Sequence, residues 1–236
     1  MSDASRPEVV LFDRLRPDVV IFDVVETLAS LDSVRDRLER LSQPRELMDR
    51  WFTRLLRDAM ALTAAGDYQP FAEIAASALR AETRGALTSS DIDDAMKGFG
   101  ETMPQPDAAA AMTAAREAGF RVFALSNGSV ESTHGFLERG QLTDHVEQVL
   151  SVDMVRTWKP ARAPYDLAVE RAGVSADQVA LVAVHSWDIH GAHRAGMTTG
   201  WLPRLENVPT PAFTAADVTA DTLPGVIEAL AALPVR

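Results

Sequence analysis

The sequence predicts an α/β fold, a doubly wound, Rossmann-like parallel sheet with an inserted helical domain. Short runs rich in β-branched residues recur along the chain, and segments of helical length separate them. This alternation is typical of a parallel sheet covered by helices on both faces. One long region without such runs interrupts the alternation after the first strand. With 236 residues, the chain is long enough for a core of this kind and a smaller insert.

Five short apolar runs are predicted as strands. They span residues 19–23, 121–126, 147–151, 179–184 and 198–202. Between them, the alanine-rich or amphipathic segments 106–119, 130–140 and 163–173 are predicted as helices, because each is closed by a glycine. After residue 204 the sequence predicts a proline-punctuated loop and a last helix.

Two similar segments compete for the place of the first strand. "PEVVLFD" (7–13) and "PDVVIFD" (17–23) share one pattern ten residues apart. The first copy runs into "RLRP", whereas the second runs into "VVETL", which offers a hydroxyl at Thr27 and a turn into the helical region. The second copy, which ends at Asp23, is therefore predicted as the first strand of the core.

Residues 31–100 are predicted as a helical cap domain. Four segments of helical length follow one another there, and no convincing strand lies between them. The polar stretch "ETMPQPD" (101–107), with two prolines, is predicted as the linker that returns to the core. Residues 1–30 and 101–236 would then form the α/β core.

Composition limits the classes of partner and location. With 23 basic and 34 acidic residues the formal net charge is -11, which repels nucleic acids. No apolar stretch is long enough to span a bilayer, and the first residues do not resemble a secretory signal, so a cytoplasmic protein without a membrane partner is expected. The chain has no cysteine, which excludes disulfides, thiol nucleophiles and Cys-ligated zinc.

Polar side chains follow four predicted strands at the point where each strand ends. Because ligands of open parallel sheets bind beyond the carboxyl ends of the strands, these side chains are expected to share one site. Each also has a simpler explanation, as a turn residue, a helix cap or a surface lysine. Their joint occurrence favours the common site. They are Asp23, Ser126, Asn127, Lys159, His185, Ser186 and Asp188.

The four strand ends carry motifs that resemble those of the haloacid dehalogenase superfamily of hydrolases. The motifs are "FDVVETL", "LSNGS", "SVD…WKP…Y" and "WD…GA…G", and the resemblance covers about residues 19–204. They are most similar to those of the type II L-2-haloacid dehalogenases. The resemblance implies an enzyme with Asp23 as its nucleophile. It places Thr27, Lys159 and Asp188 in the catalytic group, and Ser126, Asn127 and Tyr165 on the substrate.

Two further substrate residues are expected in the cap. Gln43 stands where the family has an arginine that binds the substrate and the leaving halide, and Arg54 or Arg57 on the adjoining helix could replace that arginine. His185 stands where the characterised dehalogenases of the family have asparagine; it is a further catalytic candidate that could position the hydrolytic water, or it could be a hydrogen-bonded structural histidine. Glu26 stands where the family most often has glycine, and it could be a solvated turn residue or a sign of altered chemistry.

Two valines bear on the reaction class. Phosphatases of the superfamily have acids at the positions of Val25 and Val184, which serve Mg²⁺ binding and proton donation. Their replacement here favours a metal-independent displacement that needs no cofactor. The resemblance then implies release of halide from a small 2-halogenated carboxylic acid through an ester on Asp23.

Two other functions are also compatible with the sequence. A Mg²⁺-dependent phosphatase with an atypical site and a non-catalytic relative that binds a ligand or partner are the alternatives. His185, His190 and His193 lie close in sequence, but their spacing matches no known metal site. Relatives are often dimers, so the resemblance also implies that the chain can form a homodimer.

Overall fold

The computed structural model describes residues 14–236, and its core is a six-stranded, wholly parallel sheet. The strand order is β3-β2-β1-β4-β5-β6, which is that of a doubly wound fold. The first strand is the second copy of the repeated segment, as predicted, whereas the first copy (7–13) lies outside the described residues. The predicted fold class is confirmed.

The strands and helices have the following bounds. The strands are β1 Val19–Asp23, β2 Arg121–Ser126, β3 Gln148–Ser151, β4 Val179–Ala183, β5 Thr198–Trp201 and β6 Val218–Thr219. The insert contains α1 Asp32–Arg40, α2 Leu47–Ala64, α3 Phe71–Glu82 and α4 Ser89–Lys97. The remaining helices are α5 Ala108–Glu117, α6 Val130–Arg139, α7 Arg162–Ala172, α8 Ser186–Arg194 and α9 Leu223–Ala231.

Alternate residues of each strand pack on opposite faces of the sheet. Val20 and Phe22 of β1 lie in a cluster with residues of α5, α6 and α9. Val19 and Ile21 lie in a second cluster with residues of α7 and α8. Because both faces are covered, every residue of β1 is buried, including Asp23 at its end.

The four helices of the insert have a hydrophobic cluster of their own. Each helix has an apolar face, and together these faces surround the fully buried Trp51. α4 begins with a capping box in which Thr88 and Asp91 bond each other's backbone N–H groups. The cluster also takes in Trp158 from the loop after β3, so the insert packs directly on the core.

Some local features differ from the sequence-based expectation. β6 was not predicted, because a strand of two residues carries no periodic signal. The N-cap of α8 is His185, and Asp188 lies inside the helix, so Asp188 is not a helix cap. No helix within residues 14–236 has both the length and the apolar composition needed to cross a bilayer.

Candidate active site

Asp23, Lys159 and Asp188 meet at the carboxyl end of the sheet. Lys159 Nζ lies 2.7 Å from Asp23 Oδ1 and 2.7 Å from Asp188 Oδ2. It also donates a hydrogen bond to the carbonyl oxygen of Leu125 at 3.2 Å. An ammonium group has three donors, and these three acceptors use all of them. The lysine is fully buried and cannot be a surface lysine.

The second carboxylate oxygen of Asp23 is held by Thr27. Thr27 Oγ1 donates to Asp23 Oδ2 at 2.7 Å and accepts the backbone N–H of Val184 at 3.2 Å. The turn after β1 therefore returns the hydroxyl to the strand end and connects it to β4. The spacing of four residues between Asp23 and Thr27 is explained by this geometry.

Asp188 is held on its other side by a tyrosine. Tyr165 OH donates to Asp188 Oδ1 at 2.5 Å, and both residues are fully buried. Gly191, one turn further along α8, allows this contact, because a Cβ there would lie 2.5 Å from Tyr165 OH. The packing of Tyr165 against α8 thus explains why the motif combines Asp188 with a glycine at position 191.

A histidine and a glutamate adjoin this cluster on the opposite side of Asp23 from Lys159. His185 Nδ1 lies 3.5 Å from Asp23 Oδ2, and its Nε2 lies 3.0 Å from Glu26 Oε2. The first is an electrostatic contact without hydrogen-bond geometry, whereas the second is a hydrogen bond. Glu26 is therefore not a solvated turn residue.

Glu26 has an unusual backbone conformation. Its φ is +67°, in the left-handed region where a glycine is usual and other residues are strained. Its N–H donates to the carbonyl of Ala29, and its own carbonyl accepts from Gln105 Nε2. The sequence signal for this position was the departure from the glycine of the resembling family, and the structure pairs that departure with a second one, His185.

Ser126 and Asn127 lie at the end of β2, beside the cluster. Ser126 Oγ accepts the N–H of Gly128 at 2.9 Å. Asn127 Oδ1 accepts the backbone N–H of Lys159 at 3.3 Å. Both side chains are buried, and the turn they form leads into α6, whose N-cap is Ser129.

The charges of the cluster control the ionisation of Asp23. Burial alone would raise the pKa of Asp23, but the charge of Lys159 and the contact with His185 lower it well below its ordinary range. Asp23 is therefore an anion at neutral pH. Burial raises the pKa of Asp188, against the opposing charge of Lys159.

His185 is held in its protonated form. Burial would lower the pKa of His185, but Asp23 and Glu26 raise it to about 10. The residue is thus an imidazolium at neutral pH as long as both carboxylates are charged. The site brings together two buried cations and three carboxylates.

Two cavities flank the cluster. The first, the apolar cavity, has a volume of about 210 Å³ and is lined by Val24, Val25, Ser126, Phe71, Ala72 and Phe99, among others. The second, the His185 cavity, has a volume of about 840 Å³ and is lined by His185, Glu26, Trp187, Phe52, Leu56 and Arg57, among others. Both lie between the insert and the core.

The structure does not bring Gln43 or Arg54 to this cluster. Gln43 lies in the loop between α1 and α2, and its Nε2 donates to the carbonyl of Leu41. Arg54 lies 3.6 Å from Glu82 and lines a separate cavity on the far part of α3. Arg57, one turn after Arg54, lines the His185 cavity instead.

The other histidines do not join the site. His190 Nδ1 lies 3.1 Å from Thr214 Oγ1, and the His193 ring lies beside Arg14. Within residues 14–236, no three histidine, aspartate or glutamate side chains are placed to hold a metal ion. The ammonium group of Lys159 lies between the carboxylates of Asp23 and Asp188, where a metal ion would otherwise have to bind.

Comparisons with known proteins cover most of the chain. A model of the haloacid dehalogenase-like hydrolases matches residues 17–196. The (S)-2-haloacid dehalogenase 1 of Pseudomonas sp. (strain CBS-3) is 32% identical over 163 residues, which are 68% of this chain and 72% of that protein. The haloacetate dehalogenase H-2 of Moraxella sp. (strain B) is 30% identical over 198 residues, 80% of this chain and 88% of that protein.

Two solved structures of L-2-haloacid dehalogenases superpose on this chain. The L-2-haloacid dehalogenase from Xanthobacter autotrophicus with covalently bound chloropropionic acid superposes with a TM-score of 0.84 at 23% identity, covering 92% of this chain and 99% of that chain. A further L-2-haloacid dehalogenase superposes with a TM-score of 0.86 at 28% identity, with the same coverage of both chains.

Proposed function

The chain belongs to the haloacid dehalogenase-like hydrolases, and we propose that it is a metal-independent enzyme that releases halide from a small 2-halogenated carboxylic acid. The family resemblance of its motifs is confirmed. The observation that carries the proposal is the position of Lys159 Nζ, 2.7 Å from both Asp23 and Asp188. A buried lysine in this place keeps the nucleophile ionised without a metal ion.

The first step is attack of Asp23 on C2 of the substrate. A bond forms between a carboxylate oxygen and C2, the carbon–halogen bond breaks, and the halide leaves with the electron pair. An ionised carboxylate has about four lone-pair sites, so the contacts with Lys159 and Thr27 leave lone pairs for the attack. The product of this step is an ester on Asp23.

The donor set supports a displacement without Mg²⁺. Mg²⁺ requires several oxygen ligands in octahedral geometry. Val25 and Val184 supply no side-chain oxygen for such a site. Lys159 already neutralises the charge between Asp23 and Asp188, where a cation would otherwise be needed.

The second step is hydrolysis of the ester by water from the His185 cavity. Ester formation removes the negative charge of Asp23, which is one of the two charges that raise the pKa of His185. The pKa of His185 then falls, and the ring can lose its Nδ1 proton to solvent water. With Nε2–H donating to Glu26, Nδ1 becomes the acceptor and lies on the side of Asp23.

His185 thus acts as a base only after the first step has occurred. Water adds to the Asp23 carboxyl carbon while one of its protons passes to Nδ1. The bond between that carbon and the ester oxygen then breaks, and the second proton of the water passes to the leaving oxygen, which gives a 2-hydroxy acid. Overall, the substrate and one water give the 2-hydroxy acid, a halide and a proton. The hydroxyl oxygen of the product comes from Asp23, and the water oxygen stays in its carboxylate.

The substrate carboxylate is placed by the turn that follows β2. Ser126 and Asn127 lie there, next to the N-terminus of α6, where backbone N–H groups and the helix dipole favour an anion. Arg57, whose guanidinium is paired with Asp58, is the cap arginine that fits the site, because it lines the His185 cavity whereas Arg54 lines a separate one. It would attract an anionic substrate to a protein of net charge -11.

The proposal also covers the domain organisation, the location and partners, and the assembly of the protein. Residues 31–100 form a cap domain on a core made of residues 1–30 and 101–236. The protein acts in the cytoplasm on a small carboxylic acid, without nucleic acid or membrane partners. It can assemble as a homodimer.

Halide release from 2-chloropropionate in the presence of EDTA tests the proposal. The wild type is expected to release chloride at an undiminished rate, and Asp23→Asn is expected to release none. Absence of release by the wild type, or release by Asp23→Asn at the wild-type rate, would reject the proposal. Mg²⁺-dependent phosphate release from p-nitrophenyl phosphate would favour the phosphatase instead.

A further inference from the structure

We propose that the apolar cavity holds the C2 substituent of the substrate, and that the preferred substrates carry an alkyl chain of about four to six carbons or a phenyl ring there. This inference rests on the proposed function, because it names the substrate class of the same site. It concerns a part of the molecule that the two chemical steps do not use.

The size of the cavity is the first argument. A cavity of about 150 Å³ lined by apolar side chains binds a benzene molecule. The apolar cavity measures about 210 Å³, so it has room for a phenyl ring or a chain of similar bulk. A methyl group at C2, as in 2-chloropropionate, would leave most of this volume empty and would forfeit the contacts of its walls.

The position of the cavity is the second argument. Val24 and Val25, the two residues that follow Asp23, form part of its wall. Ser126 forms another part, and it comes directly after Leu125, which is paired with Asp23 in the β1–β2 register. The cavity therefore begins one residue from the nucleophile, on two adjoining strand ends.

The distribution of polar groups is the third argument. Ser126 and Ser129, which lie where α6 begins, are part of the wall of the cavity. Asp153 adds one carboxylate to the wall, and Leu31, Phe71 and Phe99 contribute apolar surface. An acid with its carboxylate at the helix N-terminus and a hydrocarbon group at C2 matches this division.

The His185 cavity is less suited to hydrocarbon. Its wall contains Arg35, Arg57, Asp49, Glu26 and Glu206 beside the apolar residues of α2. Burying an alkyl chain there would desolvate charged groups, which is costly. We therefore assign water and ions to the His185 cavity and the C2 substituent to the apolar cavity.

A homologous substrate series tests the inference. We measure kcat/KM for halide release from 2-bromopropionate, 2-bromobutyrate and 2-bromohexanoate with the wild type. Each added methylene is expected to raise kcat/KM about fourfold, the factor that corresponds to ~0.8 kcal/mol per buried CH₂. A kcat/KM that stays level or falls along the series would overturn the inference while leaving the proposed function intact.

Two matched variants on α3 test whether the dependence of kcat/KM on chain length arises in the apolar cavity. Ala72 and Ala81 are both exposed alanines of this helix, but Ala72 lines the apolar cavity and Ala81 lines a different one. Ala72→Phe is expected to lower kcat/KM for 2-bromohexanoate at least tenfold and to change that for 2-bromopropionate less than twofold. Ala81→Phe is expected to change neither. Equal effects of the two variants would contradict the assignment.

Binding without turnover separates this inference from the proposed function. Calorimetry with hexanoate and phenylacetate as probes measures occupation of the cavity in the wild type and in both variants. Binding that Ala72→Phe weakens at least tenfold and Ala81→Phe leaves unchanged supports the cavity assignment, even if no halide is released. Binding that neither variant changes would place these acids elsewhere and overturn it.

Discussion

Glu26 Oε2 lies 3.0 Å from Nε2 of His185, although the two residues are 159 positions apart in the chain. This hydrogen bond orients the imidazole so that Nδ1 lies on the side of Asp23. It also explains why a glutamate adopts the left-handed conformation at a turn where glycine would be unstrained. The strain at Glu26 is thus linked to the orientation of the side chain that we propose as the base.

Removal of either partner is expected to stop the reaction after the ester has formed. General base catalysis contributes about 10²–10⁴-fold, so His185→Gln is expected to lower kcat by that factor, and Glu26→Gln by about tenfold or more. Halide would then be released in a burst of one equivalent per site, with the mass of the ester retained on the protein. Mass spectrometry of protein sampled after it is mixed once with substrate measures the retained ester.

Glu206→Gln is the control for this pair of variants, because Glu206 lines the same cavity and contacts Ser186 rather than His185. It is expected to turn over steadily. Steady turnover by His185→Gln, with no retained ester, would contradict the assignment of the base.

The stability of the protein is expected to fall between neutral and alkaline pH. The pKa of His185 is raised from 6.5 to about 10, so its charged interactions stabilise the fold fully below pH 6.5 and are lost as the pH rises towards 10. Urea unfolding at pH 6.5, 8 and 9.5 measures the slope. His185→Gln is expected to show a flatter dependence over this range, and slopes equal to that of the wild type would contradict the charge assignment.

Lys159 is expected to contribute to both stability and ionisation. Lys159→Met leaves Asp23 and Asp188 buried without their cation, which is expected to cost about 3–5 kcal/mol of unfolding free energy at pH 7. The cost should shrink as the pH is lowered, because the two carboxylates become protonated. The double variant Lys159→Met/Asp188→Asn should recover part of the loss. Additive losses in the double variant would show that the two side chains do not interact.

Trp158 is expected to position Lys159. Its backbone N–H donates to Thr63 Oγ1 of α2, and its indole N–H donates to the carbonyl of Gln69 just before α3. The residue before Lys159 is therefore fixed by the insert. Trp158→Phe should lower kcat at least tenfold and leave KM within twofold.

Trp51→Phe is the matched control for Trp158. Trp51 is buried in the same cluster, and its indole N–H donates to the carbonyl of Ala75 within the insert. It loses a similar hydrogen bond, so the midpoint of unfolding should fall by a similar amount, but kcat should change less than twofold. A similar loss of kcat in both variants would mean that Trp158 has a structural role only.

The sequence predicted the parts of the site that follow from sheet topology. Asp23 and Ser126 are the last residues of strands, and Lys159 and Asp188 lie in segments that follow strands. Because parallel strands end at one edge of the sheet, the convergence of these side chains could be predicted from the sequence. The contact of Glu26 with His185 depends on one turn conformation and on the rotamers of two side chains, which carry no periodic signal.

The placement of the insert was also beyond the sequence. Its helices were predicted from their amphipathic pattern, but the direction in which α2 presents its arginines depends on packing. For this reason the sequence left Arg54 and Arg57 as alternatives, and the structure brings Arg57 to the His185 cavity and Arg54 to a separate one. The inclusion of Trp158 in the hydrophobic cluster of the insert is a tertiary contact of the same kind.

Turnover in H₂¹⁸O, followed by mass spectrometry of the peptide that contains Asp23, tests the central claim most directly. With enzyme in excess over 2-chloropropionate, ¹⁸O is expected in the Asp23 carboxylate and not in the 2-hydroxy acid. ¹⁸O in the product of that single turnover, with an unlabelled Asp23, would show direct attack of water on C2 and would contradict the ester mechanism.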